Sequence, residues 1–209
     1  MLFSLRDNRL FVLLTPADEQ LFPGAWELPG CPFSSRESLE KNASQCIAPF
    51  TGQHEAYLEQ LYSYGDSGRH PSLDLLSIVY FALLSADALS SGRPADVDVR
   101  WFPLDQLPPL AMKHGDFIEY ALRRLRYKLE YSAVGFELLP EYFSLSELQH
   151  TYEVVLGEKL DKRNFRRRIL QANVIEPTQQ YRLGEGRPAR LYRYRPDAVA
   201  EVKARRLFP

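Results

Sequence analysis

Cysteine is scarce in this chain: Cys31 and Cys46 are the two in 209 residues. Two thiols exclude a disulfide framework and fall short of a zinc ligand set. Long apolar runs are missing as well. The longest, Leu75–Leu84, is the size of a strand, well below the roughly 18 consecutive apolar residues of a membrane span. No basic-then-apolar segment opens the chain, so the expected compartment is the cytoplasm and no membrane is expected as a partner. Charge of one sign is not in excess either, at a formal net charge of −1. What remains is ordinary globular material, 45% hydrophobic and 12% aromatic, long enough to bury a core without staples.

The balanced charge hides an asymmetry. Residues 1–139 carry 12 basic and 18 acidic side chains, a net of −6, whereas residues 140–209 carry 14 basic and 9 acidic, a net of +5. Such a split predicts two modules with different partners. The expected layout is a body over 1–130, a linker over 131–139 and a basic domain over 140–209.

In the basic part, Ser144-Leu145-Ser146-Glu147 has the spacing of a helix capping box. Leu145, Leu148, Tyr152 and Val155 follow at helical spacing, and Gly157 supplies a stop. A second helix is predicted from Asp161, with Phe165 and Ile169 on its buried stripe. Lys162, Arg163, Asn164, Arg166, Arg167 and Arg168 cover the rest of its circumference. Next come two short strand-like runs, Gln180–Leu183 and Ala189–Tyr194, around the turn signal Gly184-Glu185-Gly186-Arg187-Pro188. Helix, turn, basic helix and basic hairpin in this order predict a winged helix-turn-helix that binds double-stranded DNA. The candidate contacts are Lys162, Arg163, Asn164, Arg166 and Arg167 on the helix and Arg187, Pro188 and Arg190 on the wing. Arg and Asn suit base edges in the major groove, and an Arg-rich wing suits phosphates or a narrow minor groove.

The acidic part mixes strands and helices. Phe11–Leu14, Leu58–Tyr64, Leu75–Leu84 and Val97–Phe102 are predicted strands. Ser35–Cys46 is a predicted helix ended by Pro49, and Asp116–Glu130 is an amphipathic helix with Phe117, Tyr120, Ala121 and Leu125 on its apolar side. The class is α+β.

Two passages here resemble the Nudix family: Pro23-Gly24-Ala25-Trp26-Glu27-Leu28-Pro29-Gly30 with Glu37-Ser38-Leu39-Glu40, and Trp101-Phe102-Pro103-Leu104-Asp105. The resemblance implies an α/β/α sandwich. Registering the family's first box glutamate on Glu37 places its leading glycine at Cys31 and its arginine at Gln45. The later glutamates then fall on Cys46, Pro49 and Phe50. The box is degenerate: no carboxylate stands at those three positions to help hold the Mg²⁺ of pyrophosphate hydrolysis. No metal site, cofactor or catalytic residue is therefore expected. The alternative is a residual hydrolase acting on ADP-ribose or another nucleoside diphosphate derivative, with Glu55 or Glu59 as base.

The whole chain resembles the Nudix-related transcriptional regulators, NrtR-like repressors among them. The carrying segments are Tyr57–Asp66, Leu125–Pro140, Phe143–Gln149, Leu160–Arg167 and Gly186–Tyr192, together with Leu2–Leu5 and Asp7-Asn8 as the end of a first strand and its turn. That resemblance implies a bacterial, cytoplasmic homodimer on a palindromic operator. It also implies a sensor domain responsive to ADP-ribose or a related nucleotide, and control of NAD-metabolism genes. A ligand pocket requires apolar walls and a few directed polar groups rather than a metal-holding helix. Trp26, Glu59, Asp66, Arg69 and His114 are its candidates. Cys31 and Cys46 are read as small buried hydrophobes ahead of the alternative, a redox sensor.

Overall fold

A computed structural model describes residues 1–51, 56–65, 70, 74–87, 98–183 and 188–198. It divides into two compact units, Met1–Ala121 and Leu122–Pro209.

The first unit opens with the hairpin β1 (Leu2–Arg6) and β2 (Arg9–Pro16). The turn residues Asp7 and Asn8 both have positive φ, 45° and 61°, the mirror-image turn that matches strand twist and that Asp and Asn tolerate. There follow β3 (Trp26–Glu27), α1 (Leu39–Thr51), β4 (Tyr57–Tyr64), β5 (Ser77–Leu84), β6 (Arg100–Pro103) and α2 (His114–Leu129). The six strands form one mixed sheet in the order β3-β2-β1-β5-β4, with β6 also paired to β2. β1 runs parallel to β5. Val79, Phe81, Ala82, Leu83 and Leu84 of β5 are buried in near-continuous sequence, as befits a strand covered on both faces.

Strand alternation distributes the core. Leu2, Leu13, Ala82 and Leu84 turn to one face, where they meet Ile47 and Phe50 of α1. Phe3, Val12, Leu14 and Phe81 are buried at the alternate positions. On that second face lies the start of α2, whose Phe117 ring sits 4.1 Å from that of Tyr64. Helix, sheet and helix thus make the three-layer sandwich anticipated from sequence. A β-bulge between Gln60 and Tyr62 shifts the register: Gln60 pairs with Tyr80, but Tyr62 pairs with Val79. The extra residue turns Tyr62 and Tyr64 to the face already occupied by Tyr57 and Glu59.

Several boundaries differ from the sequence reading. α1 begins at Leu39, because Ser38 and Asn42 tie up the preceding residues in side-chain bonds, and Pro49 lies inside it. Proline there removes one late N–H yet does not end the helix. β6 begins at Arg100 rather than Val97.

The second unit contains the end of α2, a 3-10 turn at Val134–Leu138, β7 (Phe143–Ser144), α3 (Leu145–Leu156), α4 (Lys162–Ala172), β8 (Ile175–Arg182) and β9 (Ala189–Tyr194). Its sheet has the order β7-β9-β8. The residues read as a linker fold into this unit: Val134, Phe136, Leu138 and Leu139 are buried. Their apolar spacing covers the core under β7 and β9, where Phe136 packs on Phe143 and Tyr194. β8 starts five residues before the predicted run, at Ile175. Pro177 concealed it, since proline argues against a strand except at an edge, and β8 is the edge.

Among the described residues, no helix is long and apolar enough to cross a membrane.

Candidate nucleic-acid interface and ligand site

α3 and α4 are defined by their caps. Ser144 Oγ accepts from Glu147 N at 3.2 Å while Glu147 Oε2 accepts from Ser144 N at 2.8 Å, the full capping box. Gly157 closes α3 at φ 77°, a left-handed position suited to glycine. Asp161 Oδ1 accepts from Asn164 N at 2.8 Å to start α4, and Asn173 ends it at φ 56°.

The turn between them is held by one carboxylate. Glu153 accepts from Leu160 N, Gln149 Nε2 and Lys159 Nζ, each at 3.0 Å. The Leu160 N–H leads these bonds in holding the Glu153 carboxyl down, at about 2. Phe165 and Ile169 of α4 are buried with Leu148, Tyr152 and Val155 of α3. The Tyr152 and Phe165 rings meet edge-on at 5.6 Å.

A buried stripe through Phe165 and Ile169 fixes what faces outward. At about 100° per residue, Arg163, Asn164 and Arg167 lie on the opposite side, and all three are exposed. Lys162 is exposed in the first turn. Arg166 flanks the stripe and donates to Ser146 Oγ of α3 at 3.2 Å, so its guanidinium also braces the two helices. Leu170, half exposed, and Gln171 share the outward side. The same wheel arithmetic applied to the sequence finds them, but a search for charge alone passes over both.

The hairpin of β8 and β9 carries the wing. Pro188 and Arg190 are exposed, and Arg190 Nε donates to Thr178 O at 3.1 Å. Arg187 lies outside the described residues. Other arginines of the hairpin are structural braces. Arg182 is paired with Glu147 and donates to Tyr142 O at 3.2 Å, tying the wing to the start of α3. Arg193 is paired with Glu176, and Arg195 donates to Asn173 O at 2.8 Å.

In the first unit, Trp26 and His114 come together. Trp26 is fixed by its backbone: its N donates to Pro109 O at 2.8 Å and its O accepts from Ala111 N at 2.9 Å. Its ring meets Phe102 edge-on at 4.8 Å and has the Arg100 guanidinium 5.2 Å from its centre. His114 Nδ1 accepts from Leu28 N at 3.0 Å, which leaves the ring proton on Nε2. Glu59 stands apart from them. It is on β4, at the opposite edge of the sheet from β3, four strand spacings or about 19 Å away, and accepts from Tyr57 OH at 2.5 Å. Asp66 and Arg69, like Glu55, lie outside the described residues.

Next to Trp26 is a group that the sequence reading passed over. Glu27 has its carboxyl raised, first by burial and then by the charge of Asp18, with His70 opposing. The two residues after Pro16 and the turn around Phe22 bring Asp18 to β3, a proximity without periodic signal. Phe22 and His70 meet edge-on, with ring centres 6.3 Å apart.

The residues of α1 and of the turn before it do not fit the divalent cation of Nudix hydrolysis. Glu37 is paired with Lys41 at 2.8 Å, Glu40 is exposed on the first turn, and the later glutamate positions are Cys46, Pro49 and Phe50. Hard cations require several oxygen ligands converging on one point. Among the described residues, no group of three or more His, Cys, Asp or Glu side chains is placed to hold a metal ion.

Comparison with known proteins gives concordant findings. Residues 135–194 match the NrtR DNA-binding winged helix domain. The chain is 34% identical over 197 residues to the ADPR responsive transcriptional repressor NtrR of Acinetobacter baylyi, covering 92% of this chain and 79% of that protein. NrtR of Shewanella oneidensis, in a crystal structure complexed with a 27mer DNA, is 38% identical with a TM-score of 0.86, covering 95% of this chain and 93% of that one. A MutT/nudix family protein from Enterococcus faecalis shares the fold at 22% identity, with a TM-score of 0.75 over 93% of this chain and 85% of its own.

Proposed function

The chain belongs to the NrtR family, and from that premise we propose that it is an ADP-ribose-responsive transcriptional repressor. The observation that carries the proposal is α4, a capped helix with Arg163, Asn164 and Arg167 on its outward side, standing beside a basic wing. Arg fits guanine and Asn fits adenine as two-point partners in the major groove, while Lys162, Arg190, Pro188 and Arg187 contact the backbone or the adjoining minor groove. Two copies bind a palindromic operator, one half-site each, as the symmetry of a homodimer requires. The genes under control are those of NAD metabolism.

The first unit is the sensor. Trp26 offers a ring face to a base or ribose, with Arg100 beside it for a phosphate and His114 Nε2 as a donor. It does not hydrolyse its ligand, because α1 lacks the converging carboxylates that hold a catalytic cation. By linkage, ADP-ribose releases the operator because it binds the DNA-incompetent dimer more tightly, by a coupling of about 1–3 kcal/mol.

A gel shift with the DNA upstream of the chain's own gene tests both parts. A specific shift that ADP-ribose reverses is the expected result. No shift on that DNA or on any palindrome of the family overturns the repressor reading; a shift indifferent to ADP-ribose overturns the effector. Release of AMP from ADP-ribose in the presence of Mg²⁺ overturns the catalytic silence.

A further inference from the structure

Asn42 fastens the segment before α1 onto the helix. Its Nδ2 donates to Ser34 O and Ser38 O, both at 2.9 Å, and its Oδ1 accepts from Ser34 N at 2.8 Å. This anchoring brings the segment's exposed thiol over the same side of the helix: Cys31 Sγ lies 4.0 Å from the carbonyl oxygen of Asn42. One turn further along α1, at the spacing that puts two side chains on one face, is Cys46. Both thiols are free, Cys31 exposed and Cys46 half-buried.

We propose that Cys31 and Cys46 are a redox modification site, at which a hydroperoxide converts the two thiols into an intramolecular disulfide tying the segment to α1. In the first step the Cys31 thiolate attacks the peroxide. An S–O bond forms, the O–O bond breaks, sulfur is oxidised by two electrons, and the departing hydroxide leaves as water after taking up a proton. In the second, Cys46 sulfur attacks Cys31 sulfur. The S–S bond forms, the S–O bond breaks, and the Cys46 proton leaves with the second water. Hydrogen peroxide and two thiols thus yield one disulfide and two waters. The order follows from the surroundings. Burial above all, then the neighbouring Cys31, holds the Cys46 thiol up to about 12, so the exposed Cys31 supplies the attacking thiolate and Cys46 resolves it. Reduction by a dithiol reverses the modification.

The test uses the reduced full chain, exposed to a few equivalents of hydrogen peroxide and quenched with maleimide under denaturing conditions. The expected product is a monomer about 2 Da lighter than the reduced chain, without maleimide adducts, and restored by dithiothreitol. Trypsin cuts at Arg36 and Lys41, so a peptide pair holding Cys31 and Cys46 together without reductant identifies the bond. Cys46→Ser should stop at a Cys31 sulfenic acid captured by dimedone, and Cys31→Ser should slow peroxide consumption at least tenfold. Two maleimide adducts on the peroxide-treated parent, crosslinks only between chains, or an unchanged rate in Cys31→Ser overturn the proposal.

Discussion

Glu153→Ala removes the carboxylate that closes the helix turn, and its cost can be worked from the three bonds it breaks. The Leu160 N–H is half-buried and loses a charged acceptor, worth about 1.5–3 kcal/mol. The bond from Gln149 adds about 1 kcal/mol. Lys159 has 85% of its side chain exposed, so its ion pair contributes close to nothing. A loss of about 3 kcal/mol lowers the melting temperature of a unit this size by roughly 10–20 °C. Far-ultraviolet circular dichroism follows the helices, while Trp26 and Trp101, both in the first unit, let fluorescence report on that unit separately. The pH dependence supplies a second signature. The Glu153 carboxyl is held at about 2 in the folded chain, against about 4.3 when unfolded. Its contribution is therefore complete above about pH 4.3 and is lost as pH falls toward 2. Glu153→Gln keeps an acceptor for Leu160 and should have a flatter acid limb than the parent. An alanine variant that melts within about 3 °C of the parent, or a glutamine variant with the parent's acid limb, refutes the assignment of the turn to this carboxylate.

Other outcomes follow from the same geometry. A Cβ on Gly135 comes 2.7 Å from Leu129 Cδ2 and 2.9 Å from Tyr152 Cε2, so Gly135→Ala should destabilise by about 1–3 kcal/mol in a denaturant titration. Arg163→Ala should weaken operator binding and, where Arg163 touches a phosphate, lower the slope of log affinity against log salt by about 0.9; equal affinity and slope would remove it from the interface. Trp26→Ala should weaken ADP-ribose binding by about 1–3 kcal/mol in calorimetry if the ring stacks on the base, and undiminished affinity would move the ligand elsewhere.

What was legible in the sequence was mostly local. Caps announce themselves within four residues, and Ser144, Gly157 and Asp161 each stand where their spacing placed them. The hairpin turn at Asp7 and Asn8 stands where the family resemblance placed it. β8 was hidden in part because proline is judged on the assumption of an interior strand, and only the sheet order reveals an edge. The 3-10 turn at Val134–Leu138 was hidden because its apolar residues, Val134, Phe136 and Leu138, alternate with the period of a strand and not of a helix. In the sensor unit, the pairing of Trp26 with Arg100 depends on β2 bringing β3 and β6 side by side, a long-range fact without local trace. Basic residues were easy to count but not to sort. Arg182, Arg193 and Arg195 hold their guanidinium groups against Glu147, Glu176 and Asp197 of the same domain, so the raw count of 14 basic residues overstates what is offered to a duplex, whereas the net of +5 already subtracts these acids.

The bulge in β4 makes chain length, rather than residue identity, the quantity that matters along that strand. Substituting Leu61 changes one half-buried side chain, and deleting it would leave Tyr62 opposite Val79 in a regular strand, whereas a further residue inserted beside the bulge would exchange the two faces for every residue beyond it. Tyr62 and Tyr64 would then turn toward α1 and abandon Tyr120 and Phe117. Related chains can drift at this position through many amino acids or lose the extra residue altogether, but an insertion there has to be matched by a deletion nearby to be inherited.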